Sequence, residues 1–447
     1  MTHGTGRFGV IGTRFAWAVA LALTLVTAMG MTPARASGEA LLLIEADTGR
    51  VLKAENATYP WYPASITKLM TAYLAFRAIK ERRLTLDTVL TVSPNAVAQQ
   101  PSKMGFRSGT QLTVENALKM MLVKSANDMA VVLAEGVAGS VDRFADEMNA
   151  ASRRLGMTQS SWVNPNGLPS ENQITSARDM AILARQILLE FPEYNDYWDI
   201  QAIRLGKRVM RNTNSLIIRY PGADGMKTGF ICASGFNVVA TATRGNRRLI
   251  AVVLGAPSGA VRAAKAASMF ETAFNNTGLA WLSPSLGRVE QLQPINAAPP
   301  NLREKSCGKH RRRPGAEAAD DDEDEGVKGF ISLFSNASGP KPSSLISNTV
   351  ALVPPIRVYV GTPRPSRNTA VAKRHRSTGG HAEGDAAPLP KSRPAAAPRA
   401  HAATKASARR RSAIPAATPL PATQPKPRAK TKSKASHSAA SARPPAQ

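Results

Sequence analysis

The spacing of apolar positions changes twice between residues 37 and 285. "ALLLIEADTGRVLKA", residues 40–54, is two short apolar runs on either side of Asp47-Thr48-Gly49, the pattern of a β-hairpin. From about Ser65 the apolar positions recur at helical spacing, and they do so again over 112–122, 126–138, 142–154 and 176–190. Strand-like runs follow in "GMKTGFIC", "GFNVVATAT" and "RLIAVVLGA". Short turn-like segments such as "RGNRR" separate them, as in a meander. "AVRAAKAASMFETAF" then returns to helical spacing. Strands, then many helices, then strands predict an α+β fold: one mostly antiparallel sheet with helices against it. A stretch of about 250 residues is ample for a sizeable core.

The two ends read differently. Arg7 and Arg14 precede an apolar run at 15–30, and "MTPARAS" places Ala34 and Ala36 in a small-x-small cleavage pattern. The run falls short of the roughly 20 residues that span a bilayer, so 1–36 is expected to be a secretory signal peptide and the mature chain to be exported. Beyond residue 285 the character shifts again. Residues 286–365 carry "KHRRR", "DDDEDE" and two weak apolar stretches, "GFISLFSNASG" and "LISNTVALVPPIRVYVG". They read as a linker with a lone strand, too little for an independent domain. The formal charge of the chain is +27, and residues 366–447 hold 17 Lys+Arg against two acidic residues, a net of +15. This Ala/Pro/Ser/Lys-rich tail lacks the apolar surface to offset chain entropy and reads as disordered. Its charge fits a polyanion. An exported chain is not expected to meet nucleic acid, which leaves an anionic membrane surface as the candidate partner, with a solvated linker as the alternative reading.

Charge and composition leave the chemistry open; the histidines narrow it. All six lie at His3, His310, His375, His381, His401 and His437, so the 37–285 domain has none and a Ser-His-Asp triad is excluded there. A serine nucleophile in this domain must use a lysine or a carboxylate as its base. In "PASITKLMTAYLAFRAI", Ser65 and Lys68 stand three apart. On one helical turn they share a face, and free N–H groups at a helix start suit an oxyanion. Alone, that spacing is common. Ser125-Ala-Asn127 before an apolar helix and Lys227-Thr228-Gly229 opening an apolar strand complete an ordered set that is associated with penicillin-recognising enzymes. The two cysteines, Cys232 in a strand-like run and Cys307 in an irregular basic segment, are expected to be unpaired thiols. No Cys/His spacing points to a metal site, and no cofactor is implied.

Together these motifs, with "LLLIEADTGRVL", "MLVKSANDMAVVLAE", "WVNPNGLP" and "GFNVVATATRGNRRLIAVVLGA", make residues 38–275 resemble the low-molecular-mass penicillin-binding proteins, the serine-type D-Ala-D-Ala carboxypeptidases of peptidase family S11. The resemblance implies a β-lactamase-like fold: a five-stranded antiparallel sheet with a helical cluster. It implies Ser65 as the acylated nucleophile and Lys68 as general base, its pKa lowered by burial or a nearby cation. Ser125 would relay a proton to the leaving D-alanine. Asn127 would hold the substrate amide, and Lys227 and Thr228 the terminal carboxylate. Gly229 would let the acyl chain lie against the strand. The N–H groups of Ser65 and Phe230 would form the oxyanion hole, and Arg262 matches a family arginine near the carboxylate. The implied partners are peptidoglycan stem peptides, with β-lactams as covalent inhibitors.

Rivals on the same fold are a D,D-endopeptidase and a serine β-lactamase. The latter needs a Glu-x-x-Leu-Asn loop for deacylation; this chain has "NPNGLPSENQIT" there, and Glu171 does not fit. A binding protein with a relic site is a third reading, and the complete motif set argues against it. The family's usual second β-rich domain and amphipathic C-terminal anchor are not evident.

Overall fold

The computed structural model describes residues 1–2, 38–275, 286–309, 345–346 and 353–362. Two units are distinguished, 1–367 and 368–447. Every element below belongs to the first; the second, like the expected signal peptide and "GFISLFSNASG", lies outside the described residues.

Strands β1 (Ala40–Glu45) and β2 (Val51–Glu55) form the expected hairpin. The chain then runs through β3 (Val89–Thr91) and β4 (Gln111–Thr113), a small ladder of their own. The hairpin β5 (Ala202–Leu205) and β6 (Arg208–Arg211) precedes the long strands β7 (Ala223–Ile231), β8 (Gly235–Arg244) and β9 (Arg247–Ala256). The main sheet has the order β2-β1-β9-β8-β7, antiparallel throughout. This is the five-stranded sheet that the resemblance implied. Its central strands are apolar almost without interruption because both faces are covered.

Helices cover one face: α1 (Lys68–Lys80), α2 (Val114–Lys124), α3 (Asn127–Ala138), α4 (Val141–Leu155) and α5 (Ala177–Glu190). Helix α6 (Gly259–Asn275) covers the other. Their ends follow local chemistry. Ser140 and Ser176 cap α4 and α5 by accepting from the N–H groups of Arg143 and Asp179. Gly156, at φ 71°, ends α4 in the left-handed region. Helix α1 is rich in good helix formers and buried along most of its length, packed between α3, α4 and α5.

The sequence reading needs four corrections. Lys227-Thr228-Gly229 lies in the middle of β7 rather than at its start. Ser65 sits on a 3-10 turn, Ala64–Thr67, and the α-helix begins only at Lys68. The cysteines are paired: Cys232 and Cys307 form a disulfide with Cα atoms 5.6 Å apart across 75 residues. The pairing arises because residues 286–309 fold back onto the body. Gly287 accepts from Val51 N–H, Val289 is fully buried, and Leu302 N–H reaches Ala233 O. A helical turn, Arg303–Cys307, then delivers the second sulfur. Farther on, strand β10 (Ile356–Val358) pairs in parallel with β5, so the expected lone strand has a partner.

Candidate active site

The edge strand β7 lies against the 3-10 turn that carries Ser65. Contact is backbone to backbone. A Cβ at Gly229 would lie 2.7 Å from Ser65 N and 2.9 Å from Ile66 N, and 3.1 Å from Pro63 O. Glycine here is therefore required by the packing of the turn, a reason beyond the substrate clearance that the resemblance implied. The same contact brings the main chain leading into Phe230 beside Ser65 N. The Phe230 ring points away, stacking on Phe236 at 4.3 Å between centroids.

Asn237 on β8 holds the turn in place. Its Nδ2 donates to Tyr62 O (3.0 Å) and Pro63 O (3.1 Å), and its Oδ1 accepts from Gly255 N–H (3.0 Å). This buried amide ties the residues before Ser65 to two central strands, a role that nothing in its sequence context signals. Arg262 is also buried: its guanidinium donates to Asn237 O at 3.1 Å and lies over the Phe236 ring. These contacts make it a support for β8 next to the Asn237 clamp.

Lys68 is fully buried. Its Nζ donates to Ser65 Oγ (2.7 Å), Asn127 Oδ1 (2.8 Å) and Asn166 O (2.7 Å). These three acceptors are uncharged groups. Ser65 itself is only partly buried, so a reactant can reach its hydroxyl. Ser125 occupies a left-handed conformation, φ 57° and ψ 32°, that stops α2 and lets α3 start two residues later. Ala64, just before Ser65, also has positive φ, at 50°. Non-glycine residues in this region cost on the order of 1–3 kcal/mol each and cluster at functional sites. Asn127 is anchored by Nδ2 donation to Gln100 O and by its own N–H to Ser102 O.

Lys227 and Thr228 are buried. The Lys227 ammonium donates to Thr228 O at 2.9 Å, and the Thr228 and Thr213 hydroxyls share a hydrogen bond at 2.9 Å. Thr213 lies two residues after β6, and its N–H reaches Val123 O at the end of α2. It thus links two motifs that are about a hundred residues apart in sequence.

The loop 162–173 lies against the turn that carries Ser65. Thr71 Oγ1 donates to Pro165 O, and Gln173 Nε2 donates to Thr67 Oγ1. Gly167, at φ 82°, lies so close that a Cβ would be 1.8 Å from Ala64 O. "NPNG" is visible in sequence, but the use of Asn166 through its carbonyl is not, because any residue carries one. Glu171 is exposed, and Lys68 faces a carbonyl of this loop, not a carboxylate. Among the described residues no group of three or more His, Cys, Asp or Glu could hold a metal ion.

Comparison with known proteins adds the family. The profile of the D-alanyl-D-alanine carboxypeptidase family, peptidase S11, matches residues 27–258, just over half of the chain. The chain belongs to this family. It is 36% identical over 240 residues to the D-alanyl-D-alanine carboxypeptidase DacF of Bacillus subtilis, covering 52% of this chain and 61% of the relative. Against DacC of Escherichia coli the identity is 35% over 230 residues, covering 50% and 58%. The chain thus spans about three fifths of the length of these relatives. Among solved structures it is similar to the D-alanyl-D-alanine carboxypeptidase DacD from Francisella tularensis, with a TM-score of 0.51 and 30% identity over 53% of this chain and 70% of that one. Penicillin binding protein 5 from Haemophilus influenzae gives a TM-score of 0.51 and 33% identity over 55% and 73%.

Proposed function

We propose that the protein hydrolyses the terminal D-Ala–D-Ala bond of peptidoglycan stem peptides through an acyl-enzyme on Ser65. The observation that carries this reading is the buried Lys68 Nζ, 2.7 Å from Ser65 Oγ and 2.8 Å from Asn127 Oδ1. Family membership supports it, as do relatives whose names are those of D-alanyl-D-alanine carboxypeptidases and of a penicillin binding protein.

In the first half-reaction neutral Lys68 takes the Ser65 proton as Oγ attacks the penultimate D-alanine carbonyl. The oxyanion forms at the N–H groups of Ser65 and Phe230. Lys68 returns that proton through Ser125 to the leaving amine, the C–N bond breaks and D-alanine departs, which leaves Lys68 neutral. Asn127 holds the substrate amide. Lys227 and Thr228 hold its terminal carboxylate, with Arg262 steadying the strand behind them. Water then attacks the ester, Lys68 takes its proton and returns it to Ser65 Oγ as the ester C–O bond breaks, and Ser65 is restored. β-Lactams enter the same site as substrate mimics and acylate Ser65.

The expected leader at 1–36 makes this an exported, periplasmic activity, and the basic tail gives it a peripheral attraction to the inner membrane. Incubation with a pentapeptide muropeptide, followed by mass spectrometry, should show the loss of one D-alanine. Ser65→Ala should abolish both this loss and labelling by a fluorescent penicillin; labelling that persists rejects the assignment. Cleavage of crosslinked muropeptides alone would indicate an endopeptidase, and fast penicillin turnover a β-lactamase.

A further inference from the structure

Thr213 stands outside the three motifs, yet the fold places it against one of them. It is buried and lies between two buried asparagines, Asn212 and Asn214. Both flanking side chains are committed to backbone. Asn212 Nδ2 donates to Ile200 O at 2.9 Å, and Asn214 Nδ2 donates to Gly225 O at 3.0 Å, on β7 just before Lys227. Asn212 Oδ1 accepts from Asn214 N–H, and Asn214 Oδ1 accepts from Leu216 N–H. The Thr213 N–H reaches Val123 O, close before Ser125 in the chain. The backbone is therefore fixed on both sides of Thr213, and what this turn delivers to the site is a single hydroxyl.

That hydroxyl meets Thr228. Thr228 Oγ1 donates to Thr213 Oγ1 at 2.9 Å. Thr213 Oγ1 makes no other hydrogen bond among the described residues, so its own proton is uncommitted. A hydroxyl carries one proton and two acceptor lone pairs, whereas a carboxylate only accepts. To hold a substrate carboxylate, Thr228 must aim its proton at it and give up donation to Thr213. Thr228 is buried, and the side of its oxygen that faces Thr213 then needs a donor. The Thr213 proton is that donor, at a separation that suits a hydrogen bond in either direction. Bonds in such a chain polarise one another, so donation from Thr213 strengthens the donor that Thr228 presents.

We infer that Thr213 is a positioning residue for the substrate carboxylate. Binding reverses the Thr213–Thr228 hydrogen bond, so that Thr213 donates to Thr228 Oγ1 and Thr228 donates to the carboxylate. Each proton stays on its own oxygen throughout. The inference rests on the reading of Lys227 and Thr228 as the carboxylate site, and it adds selectivity to that site. A fully charged acceptor gains more from the relay than a neutral one, because hydrogen bonds to ionised groups are the stronger ones.

The test uses the full chain and compares acylation by a fluorescent penicillin as its free acid and as its methyl ester. Thr213→Val keeps the shape of the side chain and removes the hydroxyl, whereas Thr213→Ser keeps the hydroxyl. In the parent the acid should acylate faster than the ester. Thr213→Val should slow the acid by about threefold to tenfold and leave the ester within about twofold of the parent. Thr213→Ser should restore most of the acid rate. Equal slowing of acid and ester would overturn the inference, since a disturbed turn affects both. So would an unchanged acid rate in Thr213→Val, or a Thr213→Ser variant as slow as Thr213→Val. The expected pattern in a protein that removes no D-alanine from a pentapeptide would support the relay while rejecting the carboxypeptidase reading.

Discussion

Gly229→Ala tests whether the active site depends on a close backbone contact. The added methyl would meet Ser65 N at 2.7 Å, about 0.7 Å inside an ordinary 3.4 Å contact, with Ile66 N at 2.9 Å. Both are backbone atoms, so no side chain can rotate away. Retreat is blocked on either side. Strand β7 is laddered to β8 from Ala223 to Ile231, and the turn is tied to Asn237 through Tyr62 O and Pro63 O. The turn and strand must therefore part by roughly half an ångström, an overpacking that costs about 1–3 kcal/mol. Ser65 and Lys68 move together on one turn, so their hydrogen bond survives. What opens is the space between Ser65 N and the Phe230 amide, and losing one oxyanion donor costs about 10²–10³ in rate. The second-order rate of acylation by a fluorescent penicillin should fall by about 10², with a lowered melting temperature. Parental stability with acylation within threefold of the parent would refute the reasoning and leave substrate clearance as the only role for the glycine.

Three further outcomes follow from named contacts. Asn237→Leu leaves two buried carbonyls and the Gly255 N–H without their partner; it should cost about 3 kcal/mol and slow acylation, and a variant as stable as the parent in urea denaturation would exclude the clamp. The Arg50 hydrogen bond, helped by Thr48 and Arg247, holds the Glu45 carboxyl down at about 2. A depressed carboxylate contributes stability above its unfolded value of 4.5, and that contribution is lost as pH falls through this value towards 2. Because Arg50 is 44% exposed, screening reduces this to about 1 kcal/mol; Glu45→Gln should lose that much at pH 7 and the gap should narrow between pH 4.5 and 3, whereas a pH-independent gap would contradict it. Replacing both Cys232 and Cys307 by alanine should cost about 2–5 kcal/mol and expose 286–309 to protease, and an unchanged digestion pattern would show that the segment is held by its other contacts.

The candidate set was legible in sequence because each member is a side chain with its own chemistry at a fixed local spacing. Ser65 and Lys68 meet at 2.7 Å as three-residue spacing on a helical turn requires. Asn127 joins them from another helix, and only the resemblance, not spacing, could place it there. The long strands and helices were legible for a similar reason: burial on one or two faces imprints a period. What stayed hidden was built from backbone and from distance. Asn166 acts through a carbonyl, and Gly229 through the absence of a Cβ. Short pairs such as β3 with β4 bury too little to imprint a pattern.

The cysteines show how such a misreading arises. Cys232 reads as the end of an apolar strand and Cys307 as part of a basic irregular stretch, and 75 residues separate them. Their pairing depends on Val289 filling a buried position and on Leu302 bonding Ala233, neither of which is a motif. Yet Cys232 lies just two residues after Phe230, the proposed oxyanion donor. The disulfide therefore ties the segment after the helical domain to the far end of the same strand that the Gly229 contact positions. Strand β7 is an edge strand and has a ladder partner on one side only. The tightly packed Ser65 turn supports its free side near Gly229, and the disulfide pins its end. An edge strand held at both places can keep two backbone amides aimed at one oxyanion, which a free edge could not.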